Sequence, residues 1–189
     1  MKDVHKPSVE CELAVLCLQY LTFPCFDTDC DEEDLLEYAL QGHLGFQDYA
    51  AAHWFHHVYT FIENGQKFLD EANASEQHLD NLSTALFEFM DRYRDDDWKP
   101  ITGDPAYHED DWSSRLSKFK DYCEVFRPYT FYETLLELSD CTANVHQQFQ
   151  TITTKGITAS LSRNRKFLTE LPAKLGSKEK ATYALYYSN

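Results

Sequence analysis

The chain has 189 residues, 17 Lys+Arg against 32 Asp+Glu for a formal charge of −15, and 15% aromatic side chains within a 43% hydrophobic set. That suits a protein with one core and is too apolar for a disordered acidic chain. The charge works against a non-specific nucleic-acid binder, which needs cations to meet phosphate. The longest apolar run, Leu13 to Leu18, is far short of the ~20 residues that a membrane-spanning helix requires.

Gly and Pro number six each, few for the tight turns of an all-β protein. Apolar positions recur at three and four, so the pattern predicts an all-α fold: an irregular multi-helix bundle of about six to eight helices. Met1 to Glu12 is mixed and charged, without the apolar stretch of a signal peptide. The expected location is therefore intracellular, with the six cysteines reduced. The sequons at Asn73 and Asn81 then read as chance matches.

The first predicted helix runs from Ser8 to about Thr22, with Leu13, Leu16, Cys17, Tyr20 and Leu21 on one face and Pro24 behind it. Asp31 is a good N-cap for a second helix, its Glu32, Glu33 and Asp34 suit the positive end of the helix dipole, and Gly42 stops it. A third helix spans about Phe46 to Glu63. Its broad stripe holds Phe46, Tyr49, Ala50, His53, Trp54, His57, Val58 and Phe61, and Gly65 is its expected terminator. Ser75 caps a fourth helix with the seam Leu79, Leu82, Leu86, Phe89, Met90 and Tyr93.

The acidic stretch 95–109 reads as the only long loop, dividing an N-terminal helical part, 1–94, from a C-terminal one, 110–189, within one compact domain. Asp110 or Asp111 caps a fifth helix carrying Trp112, Leu116, Phe119, Tyr122, Cys123 and Phe126, which Pro128 breaks. Phe131, Leu135, Leu138, Thr142, Val145, Phe149 and Ile152 then follow steps of four and three. That seam reads as bundle core, with a dimeric coiled coil as the alternative. Thr151 to Asn189 holds seven Lys/Arg against two Asp/Glu, a local +5, leaving ten against thirty, or −20, in the rest. This tail predicts helices at about Ile157–Leu171 and Ser177–Tyr187, separated by Pro172 and Gly176. Its Arg163, Arg165 and Lys166 read as a solvated helix face or a docking surface for the acidic body, ahead of a phosphate contact, since charge alone sets partners weakly.

The chemistry-bearing candidates are few. His53 and His57 are one turn apart and share a face, and Cys25 and Cys30 form a C-x₄-C pair. Together they imitate a two-cysteine, two-histidine zinc site. The gap from Cys30 to His53 holds a whole predicted helix, where a finger has about 12 residues. Hydrogen-bonded histidines on an aromatic face are the simpler reading, and no metal or other cofactor is expected. Asp95, Asp96, Asp97, Asp110 and Asp111 lack the alternating spacing and central glycine of an EF-hand loop. The sequence has no nucleophile elbow, no H-E-x-x-H and no phosphate-binding glycine loop, so no enzyme is expected; a small acidic enzyme of unknown type is the remaining rival.

Two segments carry a resemblance. Cys17-Leu18-Gln19-Tyr20-Leu21 reads C-L-x-Y-L, and Phe46 to His57 reads F-x-D-Y-A-x-x-H-W-x-x-H, through Asp48, Tyr49, His53, Trp54 and His57. The pair resembles the region after the winged helix in fungal NACHT-type signalling NTPases (STAND, NLR-like proteins). Ala184 to Asn189 is similar to the residues before the zinc fingers in one fungal subset. The likeness covers about residues 9–64, and the remainder by helix order only. It implies a non-enzymatic linker or scaffold that couples an NTPase to a C-terminal effector or finger array. Nucleotide hydrolysis and finger-type zinc or DNA binding would lie in other modules. Its partners would be those modules or another protein chain, with no membrane. The matching residues are packing residues, so no catalytic residue is carried over.

Overall fold

The computed structural model describes residues 6–71, 75–93, 118–143 and 157–187. Within them the order is α1 (Pro7–Leu21), a 3₁₀ turn (Pro24–Phe26), α2 (Glu32–Leu40), α3 (Gln47–Glu63), α4 (Gly65–Leu69) and α5 (Glu76–Tyr93). There follow α6 over 118–123, a 3₁₀ turn (Glu124–Phe126), α7 (Phe131–Ala143), α8 (Thr158–Lys174) and α9 (Ser177–Tyr187). The protein is an all-α bundle, with no strand among the described residues. None of the described helices is long and apolar enough to cross a membrane.

The helix ends follow local chemistry. Pro7 opens α1, where a missing N–H costs nothing. The Asp31 carboxylate accepts from the Glu33 and Asp34 N–H groups at 2.9 and 2.8 Å, as the sequence predicts for an N-cap. Gly42, at φ 83°, ends α2. Its N–H reaches Ala39 O and the His43 N–H reaches Tyr38 O, the paired bonds of a Schellman motif. At the end of α3 the expectation fails. Asn64 is the cap, its N–H bonding Thr60 and Phe61 carbonyls, while Gly65 begins α4. Gly65 is there for room: a Cβ would stand 2.6 Å from Phe126 Cζ and 2.7 Å from Val125 Cγ1.

Pro172 does not separate two helices; α8 runs through it to Lys174. Proline lacks the N–H that would bond the carbonyl four residues back. That carbonyl is Leu168 O, and the Tyr183 hydroxyl of α9 donates to it at 3.0 Å. The α9 helix thus repairs the gap that Pro172 leaves.

At the centre α1 lies along α3 and α5. Its buried face is Cys11, Ala14, Cys17, Leu18 and Leu21, while Leu16 is exposed and Leu13 and Tyr20 are half-buried. The contact face is therefore turned from the predicted one. Small Cys11, Ala14 and Cys17 let the neighbouring helices approach closely, and a reading weighted towards large side chains misses them. The α3 arc is turned too. Phe55 and Tyr59 are buried against Phe119 and Tyr122 of α6, with ring centroids 6.2 and 6.1 Å apart, whereas Tyr49 and His53 face outward.

The α5 seam is as predicted, with Leu79, Leu82, Leu86, Phe89 and Met90 buried, Ala85 joining them and Tyr93 half-buried. Phe131, Leu135 and Leu138 of α7 are also buried. The rest of that seam, the acidic stretch 95–109, Asp110, Asp111, Trp112 and Leu116 lie outside the described residues and side chains. Phe61, Phe68, Phe126 and Phe131 form one ring cluster with centroids 5.0–6.1 Å apart. The two halves of the chain thus share one core.

Trp54 is 3% exposed and packs on Phe89 at 4.7 Å. Trp54→Ala should cost about 3–5 kcal/mol. Urea unfolding checks this, and a loss below about 1 kcal/mol would contradict a core role for α3.

Candidate functional site

The candidate residues fall in two places. The first is the loop Thr22–Cys30 between α1 and α2, which carries Cys25 and Cys30. Its backbone carbonyls point to helices distant in sequence. From α8, Arg163 donates from Nη2 to Cys25 O at 2.6 Å and from Nη1 to Asp27 O at 2.5 Å, with Cys30 O at 3.5 Å. Asn164, fully buried, donates to Cys25 O at 3.2 Å, and its Oδ1 accepts from Arg163 Nη2 at 3.0 Å. Ser160 Oγ donates to Phe26 O at 2.6 Å.

The same loop is held from the other side by α5. Arg92 Nη1 donates to Thr22 O at 2.6 Å, while Nη2 reaches Phe23 O at 3.2 Å and pairs with the Asp27 carboxylate. Tyr93 donates to Leu21 O at 2.6 Å. A loop short of regular structure keeps unpaired carbonyls, and two guanidiniums satisfy them here.

The second place is the seam between α1 and α3. Glu10 and His57 are 5% and 6% exposed, and Glu10 Oε2 lies 2.8 Å from His57 Nδ1. The other ring nitrogen, Nε2, lies 3.0 Å from the Tyr49 hydroxyl. The Glu10 carboxylate accepts from Nδ1, and the phenol and Nε2 share the second hydrogen bond. His53 is exposed, its ring 4.6 Å from that of Tyr49.

These placements bear on the four zinc candidates. Burial pushes the Cys25 thiol up to about 12 and also raises Cys30, so both are protonated thiols at neutral pH without a metal. Both nitrogens of His57 are engaged by Glu10 and Tyr49. Among the described residues no three His, Cys, Asp or Glu side chains form a metal-holding group. Cys25 and Cys30 lie in the α1–α2 loop and His53 and His57 on α3, and the described structure does not gather them into one such group.

The motif residues divide cleanly. Cys17, Leu21, Trp54 and His57 face inward. Tyr20 and Phe46 are half-buried, and Asp48, Tyr49 and His53 face out. Tyr20 donates to His43 O, and Asp48 takes Arg165 at 2.7 Å. The basic tail thus docks on the acidic body, a contact that Lys174 on Glu32 repeats. Beyond it, the α9 Tyr187 hydroxyl donates to Ala39 O at 2.9 Å and accepts from Leu44 N–H at 3.3 Å. Glu10, Arg92, Ser160 and Asn164 had no motif to announce them, because their partners are backbone groups or lie far away in sequence.

No protein-family model, curated protein or solved structure matches this chain.

Arg163→Ala should destabilise the fold by about 1–3 kcal/mol, since it removes the charged donor from the Cys25 and Asp27 carbonyls, which keep only Asn164 and the Cys30 N–H. Arg163→Lys should recover less than half, because an ammonium lacks the planar fork. Denaturant melts of the three proteins test this. Treatment with a strong chelator should leave the melting temperature of the wild-type chain unchanged, and elemental analysis should find zinc well below one atom per chain. A melt that falls on chelation and recovers with zinc would restore the metal reading.

Proposed function

We propose that this chain is a non-enzymatic helical coupling module of a fungal STAND-type signalling or zinc-finger protein. It would relay conformational change between an NTPase and a C-terminal effector. The observation that carries the reading is the grip of Arg163 on the carbonyls of Cys25 and Asp27, across 138 and 136 residues. Through it, α8 and the α1–α2 loop move together. A displacement applied to one is delivered to the other as a rigid-body shift, which is the property a relay requires.

The polar chemistry supports the same reading. Arg92, Arg163, Asn164, Ser160, Tyr93 and Tyr187 address backbone carbonyls within the protein. Glu10, His57 and Tyr49 address one another. Such groups fix positions. Neither set presents a nucleophile, a base and an oxyanion site around a shared space.

The test is binding of the purified chain to the NTPase module of a fungal STAND protein, by titration calorimetry. Micromolar or tighter affinity is expected, with a weaker value for Arg163→Ala in its folded fraction. No heat at about 100 μM of each component would overturn the reading.

A further inference from the structure

We propose that α9 is a strap, docked by three tyrosines on the turn between α2 and α3, that undocks while the rest of the bundle stays folded. The inference goes beyond the coupling reading and does not rest on it.

Apolar burial stops where α9 begins. Leu161, Phe167 and Leu171 of α8 are buried, as is Leu175 just behind it, and Lys174 pairs with Glu32 of α2. None of the 11 residues of α9 is buried. Leu185 is 76% and Tyr186 45% exposed. What holds α9 comes from Tyr183, Tyr186 and Tyr187, which share one side of the helix at spacings of three and four. The Tyr183 hydroxyl donates to Leu168 O at 3.0 Å, the carbonyl that Pro172 leaves open. The Tyr187 hydroxyl donates to Ala39 O at 2.9 Å and accepts from the Leu44 N–H at 3.3 Å. The Tyr186 ring lies over Gly42, where a Cβ would stand 2.8 Å from its Cδ1.

These contacts make a docked state that is specific but shallow. On undocking each hydroxyl exchanges a protein partner for water, so its net contribution is modest. The hydrophobic effect acts on α9 only through half-buried Thr182, Tyr183 and Tyr187. The hinge is built in. Leu175 is extended, at φ −85° and ψ 144°, and Gly176 follows it outside both helices. A Cβ on Gly176 would meet only the Glu179 carboxylate among the described residues, at 3.3 Å. That carboxylate accepts from the Gly176 N–H at 2.8 Å, and the Lys180 N–H bonds Gly176 O at 2.9 Å. The first turn of α9 is thus closed by its own residues rather than by the bundle. A helix of 11 residues is marginal alone in water, so α9 loses most of its backbone hydrogen bonds once it leaves its seat. Undocking uncovers the Ala39 carbonyl and the Leu44 N–H on the turn, and reopens the gap at Pro172.

Hydrogen exchange of the full chain, read by mass spectrometry with and without sub-denaturing urea, is the test. The α9 amides should exchange at least about 100-fold faster than those of α1, α3 and α5, and about 1 M urea should barely change their rate, because a local opening exposes little surface. They should still exchange at least about tenfold slower than a disordered peptide, the signature of the docked strap. Tyr187→Phe removes both bonds to the turn and should speed α9 exchange about tenfold, whereas Leu185→Ala should change it less than about twofold. Ile62→Val, a mild core change at a residue 1% exposed, should speed exchange in α1, α3 and α5 about fivefold and leave α9 within about twofold.

Exchange of α9 together with α3, at the same urea dependence, would overturn the strap, since α9 would then open only with the bundle. Exchange of α9 at the rate of a disordered peptide would remove the docked state. No effect of Tyr187→Phe on α9 would take the latch away from the tyrosines, and an equal effect of Ile62→Val on α9 and α3 would tie α9 to the core; either sinks the proposal. The wild-type chain and Ile62→Val decide it even if Tyr187→Phe does not fold.

Discussion

The fold depends on how the carbonyls of one irregular loop are satisfied. Between α1 and α2 the chain makes a 3₁₀ turn and a bend; the carbonyls of Phe23 and Asp27 accept from the Phe26 and Cys30 N–H groups, while those of Thr22, Cys25 and Phe26 are left to side chains, and all five are met from outside the loop. Left unpaired beneath other helices, each would cost on the order of 1–3 kcal/mol. Arg92 takes two of them from α5, Arg163 takes two from α8, and Ser160 takes the fifth. The loop is thereby a joint where α1, α5 and α8 meet. The α8 helix is held both by this fork and by its buried Leu161, Phe167 and Leu171, and its polar face, with Asn164 fully buried, would make no sense as a solvated helix.

The Glu10–His57–Tyr49 relay has a different role. Among the described pairs of a carboxylate with Lys, Arg or His it alone has both partners below one-tenth exposed. A buried pair of this kind adds little net stability, because desolvation offsets most of the attraction. Losing one partner is costly, however, since the other is left buried without its bond. The consequence is a register: α1 and α3 can slide past one another only by stranding a carboxylate. Cys11, Ala14 and Cys17 allow close approach along that seam, and the relay decides which residues meet across it.

What the sequence made legible follows from this division of labour. The α5 seam could be read because Leu79, Leu82, Leu86, Phe89 and Met90 are large and packed on one side. The Asp31 cap and the Gly42 stop could be read because their partners lie within four residues. The face of α1 could not be phased, since its contacts are made by small residues while larger Leu16 stays outside. The arc of α3 was misplaced because α6 covers Phe55 and Tyr59, and the periodicity of α3 holds no record of a neighbour about 60 residues away. The roles of Arg163 and Asn164 were hidden for a further reason: a backbone carbonyl is an acceptor that every residue has, so it leaves no side-chain signature. The engagement of His57 by Glu10 and Tyr49 was hidden in the same way, since Glu10 lies 47 residues away.

The motif that suggested a relative takes on a physical meaning in this light. Its two segments supply the two sides of one helix pair. Cys17, Leu21, Trp54 and His57 hold α1 and α3 in the core, while Tyr20, Phe46, Tyr49 and His53 line the outside of the same seam. His57 links the halves, because one ring nitrogen meets buried Glu10 and the other the hydroxyl of outward-facing Tyr49. Any ligand that moves the Tyr49 ring therefore acts on the buried Glu10–His57 hydrogen bond one step away. A change of α1–α3 register would in turn shift the Phe46, Tyr49 and His53 rings on the outside of the seam. The inner and outer faces of this helix pair are consequently one mechanical unit.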